Sequence, residues 1–146
     1  MNKKLGMLVP LFVVAFLGIA GCGGDGSSAP SEEEYIAEAD AICQKADDEL
    51  AATVESTFGS EEPTRQQVVA FVEDELVPSI EGQLDELRSL TPPEGDEDAV
   101  NAIYDALDQD IEAVAENPAA AVESPAFVES SRLAGEYGLT ACGGSS

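Results

Sequence analysis

Three cysteines and thirty carboxylates are the residues of this 146-residue chain best suited to chemistry, and there is no histidine beside them. Without histidine, neither a Ser-His nor a Cys-His nucleophile can be assembled within the chain. No G-x-S-x-G elbow, G-x-x-x-x-G-K-[ST] loop or H-E-x-x-H helix occurs either. Cys43 and Cys142 lie far outside the C-x-x-C spacing of a reactive dithiol, and two thiols with no histidine make a poor metal set. Among the carboxylates, Asp108, Asp110 and Glu112 alternate, and Asp96, Glu97 and Asp98 cluster. An EF-hand would need a glycine after its third acidic position, in a loop; Asp108 to Ala113 lacks it and falls in a helical pattern. Successive helical residues point about 100° apart, so these groups are read as a solvated face, with no metal and no cofactor expected. Paired carboxylates could support hydrolysis by residue type alone, but most fall on faces expected to meet water.

The third cysteine has a different context. Lys3 and Lys4 precede an apolar stretch from Leu5 to Ala20, the layout of a secretory signal. The stretch is short for a membrane span, which needs roughly 20 residues. It ends in Ile19-Ala20-Gly21-Cys22, which resembles the lipobox of bacterial lipoproteins. That resemblance implies diacylglycerol on the Cys22 sulfur, cleavage after Gly21 and usually a further acyl chain on the new amine. Two or more acyl chains anchor a protein stably where one binds only marginally. The expected divisions are a signal peptide over 1–21, a lipidated N-terminus and flexible tether over 22–30, a helical domain over 31–143 and a tail over 144–146. The tether, rich in Gly, Ser and Pro, could reach on the order of 25–30 Å.

Beyond residue 21 about 125 residues remain, one domain's worth of chain. They carry all 30 carboxylates and only Lys45, Arg65, Arg88 and Arg132 as cations, a net charge of −26. Such a surface repels phosphate backbones and anionic headgroups, so nucleic acid is not an expected partner. The membrane would be met through acyl chains alone. The acidity serves solubility or a salty habitat, or recruits cations or a basic protein. The mature part has no tryptophan, and its aromatics are Tyr35, Tyr104, Tyr137, Phe58, Phe71 and Phe127, so its core must be mostly aliphatic.

Four helical stretches are expected to position these groups. The first opens on a capping box, Ser31-x-x-Glu34, and closes at Gly59. Its inward stripe is Ile36, Ala39, Cys43, Ala46, Leu50 and Thr53, with Tyr35, Ile42 and Val54 alongside, while Asp40, Asp47 and Asp48 face water. The second starts near Thr64, with Gln67 completing a second box, and carries Val69, Val72, Leu76, Ile80, Leu84, Leu87 and Leu90 inward. Pro78 falls inside it and predicts a kink near Val77. The third follows the break Thr91-Pro92-Pro93-Glu94-Gly95, is capped by Asp96 and carries Val100, Ile103, Leu107, Ile111 and Val114; Asn117-Pro118 ends it. A fourth, with Ser124 as cap and Pro125 as first residue, carries Phe127, Val128, Leu133, Ala134 and Tyr137 up to Gly138. Short connections favour antiparallel neighbours, so the fold class is all-α, a small up-and-down four-helix bundle.

Outside the cytoplasm, two remaining thiols are expected to pair, Cys43 with Cys142; redox chemistry, metal binding and intermolecular pairing are the competing readings. The runs Tyr35-Ile36-Ala37-Glu38-Ala39-Asp40-Ala41-Ile42-Cys43 and Tyr137-Gly138-Leu139-Thr140-Ala141-Cys142, with the Leu90-Thr91-Pro92-Pro93 break, resemble those of small uncharacterised helical lipoproteins of Gram-positive-type bacteria. The resemblance spans about residues 31–143. It implies the helical fold and the bridge, and brings no activity with it. The expected role is a lipid-anchored, non-enzymatic envelope module for interaction or structure, with a small-ligand or cation-binding lipoprotein as the alternative.

Overall fold

A computed structural model of the chain describes residues 29–143, and every regular element among them is helical. The expected signal, Cys22, most of the tether and residues 144–146 lie outside the described residues.

Helix α1 spans Glu32–Phe58. Its first turn needs partners for orphan N–H groups, and Ser31 and Glu34 supply them reciprocally. The Ser31 hydroxyl accepts the Glu34 N–H, and the Glu34 carboxylate accepts the Ser31 N–H at 2.9 Å. That N–H holds the Glu34 carboxyl below its ordinary range. Gly59, at φ +58°, ends the helix.

The second rod comprises α2 (Arg65–Phe71), a π segment (Val72–Leu76) and α3 (Val77–Arg88). Thr64 and Gln67 form the second capping box. Pro78 cannot donate to the carbonyl four residues back and its ring crowds that turn. The widened π turns immediately before it give the ring room, and the Val77 N–H reaches the Val72 carbonyl, five residues back. The irregularity expected near Val77 is thus a π segment within a continuous rod.

Helix α4 spans Glu97–Glu116, α5 spans Pro118–Glu123 and α6 spans Val128–Tyr137. Asp96 sits at the N-cap position of α4 but makes no side-chain cap, because its carboxylate accepts the Tyr137 hydroxyl at 2.9 Å instead. Asn117 ends α4 and caps α5, accepting the Ala120 N–H at 3.1 Å.

The expected start of the last helix is corrected. Ser124 stays extended, and α6 begins only at Val128, after Phe127 in the left-handed region at φ +58°. The reason is tertiary. Asp110 of α4 accepts the Ser130 N–H at 3.1 Å and its hydroxyl at 2.8 Å, so a carboxylate from another helix caps α6. That contact defeats the local Ser124-Pro125 signal.

The close packing runs from α1 to α3, from α3 to α4 and from α4 to α6. The core joins Tyr35, Ala39 and Cys43 of α1 to Val72, Val77, Leu84 and Leu87, then to Val100, Ile103, Tyr104, Ile111 and Val114, and finally to Ala134 and Leu139. Each large aliphatic side chain so buried contributes on the order of 1.5–3 kcal/mol. Leu139 folds back onto α6, its N–H meeting the Ala134 carbonyl at 2.9 Å. Two expected inward residues are exposed, Val54 at 41% and Val128 at 60%. No helix among the described residues is long and apolar enough to cross a membrane.

Candidate functional site

Helices α1 and α6 are not a closely packed pair, and the C-terminal tail bridges the seam between them. Cys43 and Cys142 are disulfide-bonded, with Cα atoms 5.2 Å apart. Cys43 is buried in the inward stripe of α1. One turn earlier on α1, Asp40 receives the tail. Its carboxylate accepts the Thr140 hydroxyl at 2.9 Å, the Thr140 N–H at 3.2 Å and the Ala141 N–H at 2.9 Å. A weaker 3.4 Å contact comes from the Cys142 N–H. The tail after Tyr137 has turned out of the helix, so its N–H groups need acceptors, and a carboxylate is the strongest available. Asp40 therefore orients the peptide that carries Cys142 towards Cys43.

Of the chain's three tyrosines, Tyr35 and Tyr104 are buried in the core and Tyr137 packs half-buried against it; Tyr104 was not among the expected inward residues. Tyr104 donates to the Leu87 carbonyl at 2.9 Å, adding a second donor to a carbonyl in the last turn of α3 that also accepts the Leu90 N–H at 3.1 Å. A hydroxyl has one proton, so the Tyr35–Tyr104 hydrogen bond must run from Tyr35 to the Tyr104 oxygen. Tyr137 meets Tyr35 edge-on, with ring centroids 6.0 Å apart. Burial pushes all three phenols above their ordinary range; the Tyr35 contact adds to this for Tyr104, and Asp96 does so for Tyr137. These phenols stay protonated as structural donors, a role that gives them no nucleophile to offer.

Beside the clamp, the seam between α1 and α6 is open. A groove of about 1180 Å³ runs between Gln44 and Asp47 on one side and Phe127, Val128, Ser131, Arg132 and Glu136 on the other. Arg132 is committed there to Glu129 at 2.6 Å and Glu136 at 2.7 Å. Behind it an inner cavity of about 170 Å³ reaches between α1, α3, α4 and α6. The two share Asp47, Phe127, Leu139 and Ala141, so they meet at that wall. Ala46, Leu50, Ile80 and Leu107 line the inner cavity. These four belong to three apolar stripes and are only half-buried, while their neighbours Cys43, Leu84, Leu87 and Ile103 are buried.

The acidic clusters diverge. Asp108 pairs with Arg88 at 3.1 Å, Asp110 caps α6, Asp96 takes Tyr137, and Glu97 accepts the Gly95 N–H at 2.8 Å. Among the described residues no three His, Cys, Asp or Glu side chains converge as metal ligands. Reading Asp40 and Asp110 as solvated-face residues missed their roles. An unpaired run of tail N–H groups ending in Cys142 was a weak sign for Asp40; nothing local marked Asp110. Comparison with protein-family models, with characterised proteins and with solved structures found no match.

Proposed function

We propose that this chain is a lipid-anchored protein on the extracytoplasmic side of the cell membrane, and that its helical domain works by binding and not by catalysis. The observation that carries the reading is Ile19-Ala20-Gly21-Cys22 placed directly at the end of the apolar stretch from Leu5 to Ala20. The Cys43–Cys142 disulfide supports an oxidising compartment, since such bridges persist outside the cytoplasm. A net charge of −26 beyond Gly21 favours a basic protein surface as the macromolecular partner. The absence of histidine from the sequence argues against nucleophilic catalysis.

Mass spectrometry of the natively expressed protein tests this, intact and as peptides, with and without reductant. The expected result is an N-terminal peptide beginning at acylated Cys22, and Cys43 linked to Cys142. An uncleaved N-terminus contradicts the anchoring. A second reading, a small-ligand lipoprotein, is favoured by the inner cavity between the helices, which has a mostly apolar lining and a single carboxylate, Asp47, in its wall.

A further inference from the structure

We propose that the inner cavity is a binding site for a small organic cation, an apolar ring or short chain bearing an ammonium group, with the apolar body among Ala46, Leu50, Ile80, Leu107 and Phe127 and the ammonium on the Asp47 carboxylate. The proposal rests on the small-ligand reading and names the ligand class for it.

The lining sets the body of the ligand. Half-buried aliphatic side chains from α1, α3 and α4 point their uncovered area at one space, and a guest filling it removes that area from water. A cavity of about 150 Å³ lined by such residues holds a benzene ring, and this one is about 170 Å³. The site therefore takes one ring-sized group.

The polar inventory sets the head. The two buried hydroxyls in the wall are already spent as donors, Tyr104 on the Leu87 carbonyl and Ser130 on the Asp110 carboxylate, and the half-buried Ser79 and Gln83 add only uncharged groups. Asp47 is the wall's one ionisable group, apart from the shielded tyrosine, and it stands where cavity and groove meet. Asp47 is exposed at that mouth, and partial desolvation, with Asp48 adjoining, raises its carboxyl above the ordinary range. Arg132, the nearest basic residue along the groove, is held by Glu129 and Glu136. One uncompensated carboxylate at the mouth of an otherwise uncharged wall discriminates for a ligand that brings positive N–H donors. An anionic ligand would meet Asp47 and the acidic surface around it.

Isothermal titration of the full mature chain with benzylammonium, benzyl alcohol, benzoate and ethylammonium at matched ionic strength tests this. Benzylammonium is expected to bind roughly tenfold tighter than benzyl alcohol, as a charge-assisted hydrogen bond replaces a neutral one. Benzoate, repelled, and ethylammonium, lacking the ring, are expected to show no saturable binding. Asp47→Asn should bring benzylammonium to the level of benzyl alcohol, and Ala46→Leu, which fills the cavity from α1, should abolish both. Equal binding of the two benzyl probes, unchanged in Asp47→Asn, would overturn the cation preference and leave the small-ligand reading standing. Absence of binding by every probe would overturn both.

Discussion

The two halves of α1 are built to different standards. From Tyr35 to Cys43 the helix has a buried stripe, a hydroxyl network, a carboxylate clamp and a disulfide. From Ala46 to Phe58 no residue is buried, Ala46 and Leu50 face a cavity, and Val54 is exposed. A tilted ring contact between Phe58 and Phe71, with centroids 5.3 Å apart, ties that half to the second rod. Both halves have the same amphipathic spacing, so spacing alone does not decide how well a stripe is covered. Coverage depends on what the rest of the chain brings: the tail reaches one half, while α6 starts too late to cover the other. The covered half carries stability, and the uncovered half leaves space for a ligand.

The strongest way to break this contrast is to remove the bridge. Cys43→Ser with Cys142→Ser should cost about 2–5 kcal/mol, since a loop of about 100 residues is no longer closed in the unfolded chain. Denaturant midpoints measure it. Next, Tyr104→Phe should cost about 1–3 kcal/mol by leaving the buried Tyr35 hydroxyl without its partner and removing one of the donors on the Leu87 carbonyl.

The same variant has a pH signature. Raised phenol pKa values mean that the folded state holds its protons more tightly than the unfolded chain. That contribution is complete below the ordinary phenol value of about 10 and is lost as pH rises above it. Wild-type melting temperature should therefore fall above about pH 10, with Tyr104→Phe falling less steeply. Because Tyr35, Tyr104 and Tyr137 are the chain's only tyrosines, tyrosinate absorbance reports this cluster alone and should appear together with alkaline unfolding.

Asp40→Ala should cost about 1–2 kcal/mol, as the tail N–H groups turn to water but the bridge remains; it should also raise the rate at which reductant opens the disulfide. The smallest effect belongs to the uncovered half. Val54→Thr should stay within about 0.5 kcal/mol.

Much of this could be read along the chain. Both capping boxes, the glycine ends and the Pro78 irregularity are local, and a cap or a missing N–H acts within four residues. The pairing of Cys43 with Cys142 followed from the expected compartment and the count. Contacts set by docking were not legible. Asp40 and Asp110 look like solvated residues until the tail and α6 arrive, and Ser124-Pro125 looks like a helix start until Asp110 offers Ser130 a better cap. The cavity was hidden for the same reason: Leu50, Ile80 and Leu107 fit their stripes as well as Leu84 does, and only assembly decides which are fully covered.

Residue-resolved amide hydrogen exchange along α1, with and without reductant, tests the contrast most directly. Amides from Ala39 to Cys43 should exchange only through global unfolding, and those from Leu50 to Phe58 through easier local opening. Reduction should erase much of the difference. Uniform protection along α1, indifferent to reductant, would contradict the account.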